Sequence, residues 1–405
     1  MPSGQKRVLL GISGGIAAYK TPELVRALVK DGCEVEIILT EMASRLVSPL
    51  SLSTVAKRRA WRDADLSSDE LGWTIPHISL SDWADAFVVA PCTANVLRMA
   101  ADGDSSTLLG ATMLAYEGPI LFFPAMNSHM LENPATAENG RLLTERGHRV
   151  VDPDSGTLAC GYEGKGRLPS TEAILDEVRA MLCGKKDFAG RRLLITAGPT
   201  VEAIDPVRFI SNPSTGKMGY ALAAAARYRG AEVVLVSGPS HERVPSGVRV
   251  VPVQSAEEML AACLAELPEA DVVVKAAAVG DYRVRERAPQ KIKREGTDIL
   301  MLELVQNPDI AREISKRKRP AQILVGFAAE TENVQANAVA KIERKGLDMV
   351  VANDVSASGS GFATDTNRVA VYFAGRYGRE ASPAISGSKL EVAAGILDLI
   401  AAILK

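Results

Sequence analysis

Val8-Leu-Leu-Gly-Ile-Ser-Gly-Gly-Ile-Ala-Ala-Tyr-Lys20 decides the fold. From Arg7 to Gly11 it is a short apolar run of the kind that forms a strand covered on both faces, and from Ala17 to Lys30 the apolar positions take up a helical period. Between them lies a turn of small residues. Such a turn lets backbone N–H groups approach an anion at a helix N-terminus, where the peptide dipoles favour negative charge. Pro22 predicts a kink or a late start of that helix, because proline has no N–H to give the ladder. On its own the turn fits a phosphate site, an NAD site or an ordinary tight connection. Thr40 stands nearest the place of a ribose-binding acid and Glu41 follows it, so the residues leave the choice open.

The same alternation runs the length of the chain. Strands are predicted at Val35 to Leu39, Ala86 to Ala90, Ile120 to Pro124 and Arg149 to Val151, with an amphipathic helix from Thr171 to Leu182. Leu193-Leu-Ile-Thr-Ala-Gly-Pro199 then restarts the strand and glycine turn. Further strands are expected at Glu232 to Val236, Asp271 to Ala276, Gln322 to Gly326, Met349 to Ala352 and Val369 to Phe373, with a closing helix from Lys389 to Leu404. Strand and helix in alternation mean a parallel sheet covered on both faces, the α/β class. The 405 residues, 47% of them hydrophobic, suit two cores better than one. The polar, glycine-bearing stretch from Cys183 to Arg192 divides the chain into residues 1–189 and 190–405, two doubly wound Rossmann-like domains.

Composition narrows the partners. Lys and Arg (47) nearly balance Asp and Glu (49), for a formal charge of -2, so there is no broad field to hold nucleic acid or an anionic membrane surface. The apolar run after the charged N-terminus is too short for a signal-peptide core, and no run approaches the roughly 20 residues that span a bilayer. Five scattered cysteines with no C-x-x-C pair read as reduced thiols. A soluble, cytoplasmic protein is expected.

Four stretches of the first half occur in an order that resembles the flavin-dependent cysteine decarboxylases. They are Ser13-Gly-Gly-Ile-Ala-Ala-Tyr-Lys20, Ile75-Pro-His-Ile-Ser-Leu80, Pro91-Cys-Thr-Ala-Asn95 and Pro124-Ala-Met-Asn-Ser-His-Met-Leu131. The resemblance implies a flavoprotein-type domain holding FMN near Ser13, Gly14, Gly15, Thr40, Thr93 and Asn95. It makes His77 the base, Asn127 the residue that binds the substrate carboxylate, and Cys160, in Leu158-Ala-Cys-Gly-Tyr-Glu-Gly-Lys-Gly-Arg167, the acid of a final reduction. The chemistry suits the residue types. A simple α-carboxylate needs an electron sink before CO₂ can leave; flavin oxidation of the neighbouring CH₂SH to a thioaldehyde provides one, and the hydride returns afterwards without NADPH. Histidine moves protons near neutrality and a thiol of pKa about 8.5 can protonate carbon. Outside the family pattern the structural readings are favoured: His77 as a core or capping histidine, Cys160 as a small buried hydrophobe and Asn127 as a loop brace. Met126 and Met130 read as packing, and Arg98 as either a residue behind the flavin turn or a surface ion pair. Leu131 stands where the family usually has Trp, and Asp104 to Thr112 matches its flavin-contacting segment only loosely.

In the second half, Ser211-Asn-Pro-Ser-Thr-Gly-Lys-Met218 lacks the first glycine and the final hydroxyl of a P-loop, so that reading is rejected. Instead Ala197 to Thr200, Ile204 to Asn212, Gly216 to Gly219, Ala276 to Tyr282, Lys291 to Arg294, Asn307 to Asp309, Gly326 to Thr331 and Ala352 to Asp354 closely resemble phosphopantothenate–cysteine ligase. That resemblance implies CTP as co-substrate: it converts the carboxylate of 4′-phosphopantothenate into an acyl-cytidylate, which the amine of cysteine opens with release of CMP. A carboxylate must gain a leaving group before an amine can attack it, and the step gathers charge that lysine and Mg²⁺ offset. Lys291 is placed at that charge and Asn212 at the activated acyl group. Ala276, Ala277, Asp281, Asn307, Pro308, Asp309, Ile310, Phe327, Lys341 and Lys345 would shape the nucleotide and metal pocket, with Asp281 toward the metal. Lys341 and Lys345 share one helix face, where like charges repel mildly unless an anion lies between them. Their bland reading is a solvated basic face. Pro213 and Gly280 depart from the family pattern.

Together the resemblances imply a bifunctional, homo-oligomeric enzyme of coenzyme A synthesis acting on small molecules, with no nucleic-acid or membrane partner. The competing readings are a nicotinamide-dependent oxidoreductase, a non-catalytic regulatory flavoprotein, and a flavin prenyltransferase, which shares the first fold but lacks the His77 and Cys160 pair.

Overall fold

A computed structural model of the chain describes residues 5–67, 74–159, 161–293, 299–330, 334–354, 364–378 and 381–404. They form two compact units, residues 1–182 and 183–405. The polar stretch after Cys183 lies in the second, where Phe188 is fully buried and Arg229 pairs with Asp187.

In the first unit, β1 (Lys6–Ile12), β2 (Cys33–Leu39), β3 (Ala60–Arg62), β4 (Ala86–Cys92), β5 (Ile120–Pro124) and β6 (Arg149–Val150) form one sheet in the order β3-β2-β1-β4-β5-β6. Every pairing in it is parallel. The period-2 alternation of side chains divides each strand between two cores. Val8, Leu10, Ile37, Leu39, Val88 and Phe123 pack under helices Thr21–Lys30 and Thr171–Leu182. Leu9, Ile38, Phe87, Val89 and Phe122 pack under helices Ala94–Asp102 and Leu108–Ala115 on the opposite face. Burial on both sides is why the strands read as unbroken apolar runs. Pro22 acts as a late start: a 3₁₀ turn at Ile16–Lys20 precedes the helix, and the proline sits in its first turn. A hairpin of β7 (Asp154–Thr157) and β8 (Glu163–Arg167) follows the sheet.

The second unit repeats the plan. Its strands in chain order are β9 (Arg192–Ala197), β10 (Val201–Ala203), β11 (Phe209–Ser211), β12 (Glu232–Ser237), β13 (Arg249–Pro252), β14 (Val272–Lys275), β15 (Tyr282–Val284), β16 (Leu304–Gln306), β17 (Ile323–Glu330), β18 (Met349–Asp354), β19 (Thr366–Phe373) and β20 (Ile385–Ser388). The main sheet runs β13-β12-β9-β14-β17-β18-β19-β20, while β10 pairs with β11 and β15 with β16. The last two strands of the main sheet are antiparallel additions. Helices Lys217–Tyr228 and Lys389–Ile403 cover one face. Helices Ala256–Glu266, Ile310–Arg317 and Val334–Lys345 cover the other. The closing helix starts with a capping box, Ser388 and Glu391 each satisfying the other's backbone N–H. No described helix is long and apolar enough to cross a membrane.

Both sheets are doubly wound with the strand order reversing beside the first strand, at β1/β4 and β9/β14, so each has a crevice at the carboxyl ends of its strands. In the second unit a glycine sets how closely a helix approaches that crevice. A Cβ on Gly219 would lie 2.5 Å from Ala197 Cβ and 3.1 Å from the Thr196 carbonyl oxygen. Gly219→Val is therefore expected to lose about 1–3 kcal/mol of unfolding free energy in a urea titration, by overpacking helix against strand.

Candidate functional site

At the first switch point Ser13 joins β1 to β4. Its fully buried hydroxyl donates to the Pro91 carbonyl at 2.7 Å and accepts from the Thr93 N–H at 2.9 Å. Gly14 has no room for a side chain, since a Cβ there would lie 2.4 Å from Met42 Cβ, and a Cβ on Gly15 would touch Thr93 Cγ2 at 3.4 Å. Thr40, at the end of β2, donates its N–H to the Ile12 carbonyl and caps helix Glu41–Leu46 by accepting from the Ala43 N–H. Thr93 is the N-cap of helix Ala94–Asp102 without a capping bond from its hydroxyl, and Asn95 is exposed in that helix's first turn. Backbone and side chains from β1, β2 and β4 thus meet at one end of the sheet, where glycine lets Met42 and Thr93 approach the turn closely. Such a set fits a flavin phosphate and ring.

His77 lies in the first turn of helix Pro76–Trp83, partly buried, and its Nδ1 is buried with no hydrogen-bond partner among the described residues. Asn127 caps helix Ser128–Glu132, its Oδ1 accepting from the His129 N–H at 2.8 Å. The hairpin packs against this loop: the Met126 N–H donates to the Gly166 carbonyl, a Cβ on Gly166 would lie 2.1 Å from the Met126 carbonyl oxygen, and one on Gly164 would lie 2.4 Å from Ser128 Oγ. Tyr162 meets the His129 ring edge-to-face. Cys160 lies outside the described residues. Met126 packs against the core as expected, but Met130 does not, being 50% exposed. Arg98 is in surface ion pairs with Asp102 and Asp104.

In the second unit hydroxyls again stitch the switch point. Thr196 Oγ1 accepts from the Ala277 N–H at 3.1 Å and Thr200 Oγ1 from the Gly280 N–H at 2.9 Å, both side chains fully buried. Beyond them opens a cavity of about 440 Å³. Ala277, Asp281, Asn307, Pro308, Asp309, Ile310, Phe327, Lys341 and Lys345 all line it, and Ala276 does not. Asn307 is fixed by donating to the Gly280 carbonyl at 2.8 Å. Lys341 donates to the Phe327 carbonyl at 2.9 Å, and Lys345 pairs with Asp309 at 3.0 Å. Asp309 also caps helix Ile310–Arg317. Burial works to raise its carboxyl, but the Lys345 and Arg312 hydrogen bonds and the Lys345 and Lys275 charges outweigh it and hold the group below the ordinary carboxylate range.

Asn212 stands beside this cavity, its Nδ2 donating to the carbonyl of Val279, a lining residue, at 3.1 Å. Lys291 is not among the lining residues. It is exposed, next to Ile292, whose N–H donates to the buried carboxylate of Asp205 at 3.1 Å. Met218, at the end of the rejected P-loop stretch, packs on the core. Among the described residues no three His, Cys, Asp or Glu side chains gather to hold a metal. Lys275 lines the cavity and was missed; its signal was a lysine closing the valine run of β14.

Comparison with known proteins places both units. Residues 2–183 match the Flavoprotein family and residues 188–404 the family of the DNA/pantothenate metabolism flavoprotein C-terminal domain. The chain is 43% identical over 409 residues to the coenzyme A biosynthesis bifunctional protein CoaBC of Bacillus subtilis (strain 168), covering 99% of this chain and 98% of that one. It is 43% identical over 371 residues to the protein of the same name from Escherichia coli (strain K12), covering 91% of each. Among solved structures, the C-terminal domain of a CoaBC protein is 40% identical over 54% of this chain and 98% of that one, with a TM-score of 0.45. The chain belongs to the family of coenzyme A biosynthesis bifunctional proteins, enzymes that join a phosphopantothenate–cysteine ligase to a decarboxylase.

Proposed function

We propose that the cavity of the second unit binds CTP and there turns the carboxylate of 4′-phosphopantothenate into an acyl-cytidylate for attack by cysteine. The crevice of the first unit then holds FMN and decarboxylates the product to 4′-phosphopantetheine. One observation carries the reading: nine residues expected from sequence to contact the nucleotide, scattered from Ala277 to Lys345, line a single cavity.

The charges fit a polyphosphate. Lys341 and Lys345 offer ammonium groups, and Asp281 would be the one protein residue to hold a Mg²⁺ that offsets phosphate charge, a mode that needs no carboxylate cluster. Asn212 orients the acyl group from the cavity rim. Lys291 is assigned to charge that develops when the phosphate reacts. Because it lies outside the lining, we assign it to turnover more than to ground-state binding.

In the first unit Ser13, Gly14, Gly15, Thr40, Thr93 and Asn95 are the proposed FMN residues. When bound, FMN supplies the reversible two-electron oxidation that makes CO₂ release possible. His77, whose Nδ1 has no partner among the described residues and lies in a half-buried site, takes the substrate proton; Asn127 holds the carboxylate; and Cys160 returns a proton to carbon at the end. Homo-oligomeric assembly and residence in the cytoplasm belong to the same proposal, the latter supported by five cysteines in no disulfide-like pattern.

Two sets of measurements test this. Lys291→Gln is expected to lower kcat of CTP-dependent ligation by about 10²–10³-fold with CTP affinity changed by less than about threefold, whereas Lys345→Met weakens CTP binding about tenfold or more. Equal losses of affinity in both would contradict the division of roles. The purified protein should carry a flavin absorption spectrum. Cys160→Ser should keep that spectrum and still release CO₂ from phosphopantothenoylcysteine without completing phosphopantetheine; a colourless parent protein contradicts the FMN site.

A further inference from the structure

β14 is a central strand, hydrogen-bonded to β9 and β17. Three of its four residues are valines with no exposure. Lys275, the fourth, shares the face of Val273, beneath helices Ala256–Glu266, Ile310–Arg317 and Val334–Lys345, and its side chain lines the nucleotide cavity. Lys275 is partly buried, so a cation there has lost part of its water, which is costly unless it is paired or discharged.

The groups facing it from those helices are Cys263, Asp309, Lys341 and Lys345. Cys263 is fully buried and burial pushes its thiol up to about 11, so it is neutral near pH 7 and offers no counter-charge. The Asp309 carboxylate is already engaged by Lys345. Lys275 is left with part of one carboxylate and two neighbouring cations. Burial above all, with the charges of Lys345 and Lys341 adding to it against that of Asp309, brings the Lys275 pKa from 10.5 down to about 8.

We propose that Lys275 is a further nucleotide-binding residue of this cavity, and that the entry of a polyphosphate anion is coupled to uptake of a proton on its amine. The inference rests on the reading of the cavity as the CTP site. An anion beside the amine favours its charged form, so a group partly neutral in the free protein takes a proton from solvent as the nucleotide arrives. By the same linkage CTP binds more weakly as pH rises through 8, because protonation must then be driven by binding.

Calorimetric titration of CTP into the full-length protein at pH 8, in two buffers of different ionisation enthalpy, tests this. About half a proton is expected to be taken up per CTP bound. Lys275→Arg, permanently charged, should bind CTP with that uptake abolished and with a flatter pH dependence; Lys275→Met should lose the uptake and bind CTP about tenfold more weakly at pH 7. Binding by the parent without uptake, or uptake persisting in both variants, overturns the inference while leaving the nucleotide site standing. No CTP binding by the parent removes both.

A nucleotide-free readout accompanies it. Between pH 8 and 10.5 the unfolded chain binds more protons at this lysine than the folded one, so the penalty for burying it is fully present below 8 and fades as pH rises. Lys275→Met should accordingly melt at a higher temperature than the parent at pH 7, the gap narrowing above pH 8. Equal melting at pH 7 would mean that the amine is well solvated, and would also overturn the proposal.

Discussion

Where strand order reverses, the backbone running past the sheet loses its ladder partners, and in both units a buried hydroxyl takes their place. Ser13 does this at the end of β1, bonding on either side of Cys92, to the Pro91 carbonyl and the Thr93 N–H. Thr196 and Thr200 do it beside β9 for the N–H groups of Ala277 and Gly280. An unpaired buried peptide group costs about 1–3 kcal/mol, so these bonds decide whether the crevice keeps its shape. Part of each proposed FMN or CTP site hangs from the segments they fix. Thr93 and Asn95 follow directly from one, Asp281 and Asn307 from the other, the latter through its bond to the Gly280 carbonyl.

The parallel sheets were legible because strands buried on two faces carry no polar residues to blur the pattern. Ile120–Pro124 and helix Thr171–Leu182 have the bounds read from sequence. The small antiparallel pairs outside the main sheets were not legible. Asp154-Ser-Gly-Thr157 and Glu163-Gly-Lys-Gly-Arg167 are polar and glycine-rich, with neither a hydrophobic period nor β-propensity, and their pairing depends on packing against the loop that carries Asn127. β10 with β11 and β15 with β16 are three residues each, too short for periodicity to register.

Site residues show the same division. Asp309, at a helix N-cap, and Lys341, within helix Val334–Lys345, were assigned to the pocket by the resemblance to the ligase family, and both line the cavity. Lys275 was passed over because its strand reads as buried core, and a charge in such a run says only that something pairs with it or that it is partly discharged. The fold supplies the missing information: residue 275 lies at the carboxyl end of the strand next to the switch point, where side chains leave the core and enter the crevice. Thr40 illustrates the opposite limit. Its position beside the first turn was legible, but its hydroxyl is engaged by the Ala43 N–H as a helix cap, which no spacing argument distinguishes from a ligand contact.

The cation-bearing cavity also explains how charge can wait for a ligand without wrecking the domain. Three lysines converge on it against two aspartates. Left alone they would repel one another in a region of reduced dielectric. Lys345 is held by Asp309, Lys341 by the Phe327 carbonyl, and Lys275 by easy loss of its proton. Each device is weaker than a phosphate would be, so the free protein stays folded and the anion still finds donors. A tighter internal pairing would stabilise the unit at the expense of binding, since a buried ion pair must be broken before its cation can be lent to a ligand. Asp309 is therefore well placed at a helix N-cap, where the Arg312 N–H keeps it satisfied if Lys345 turns away.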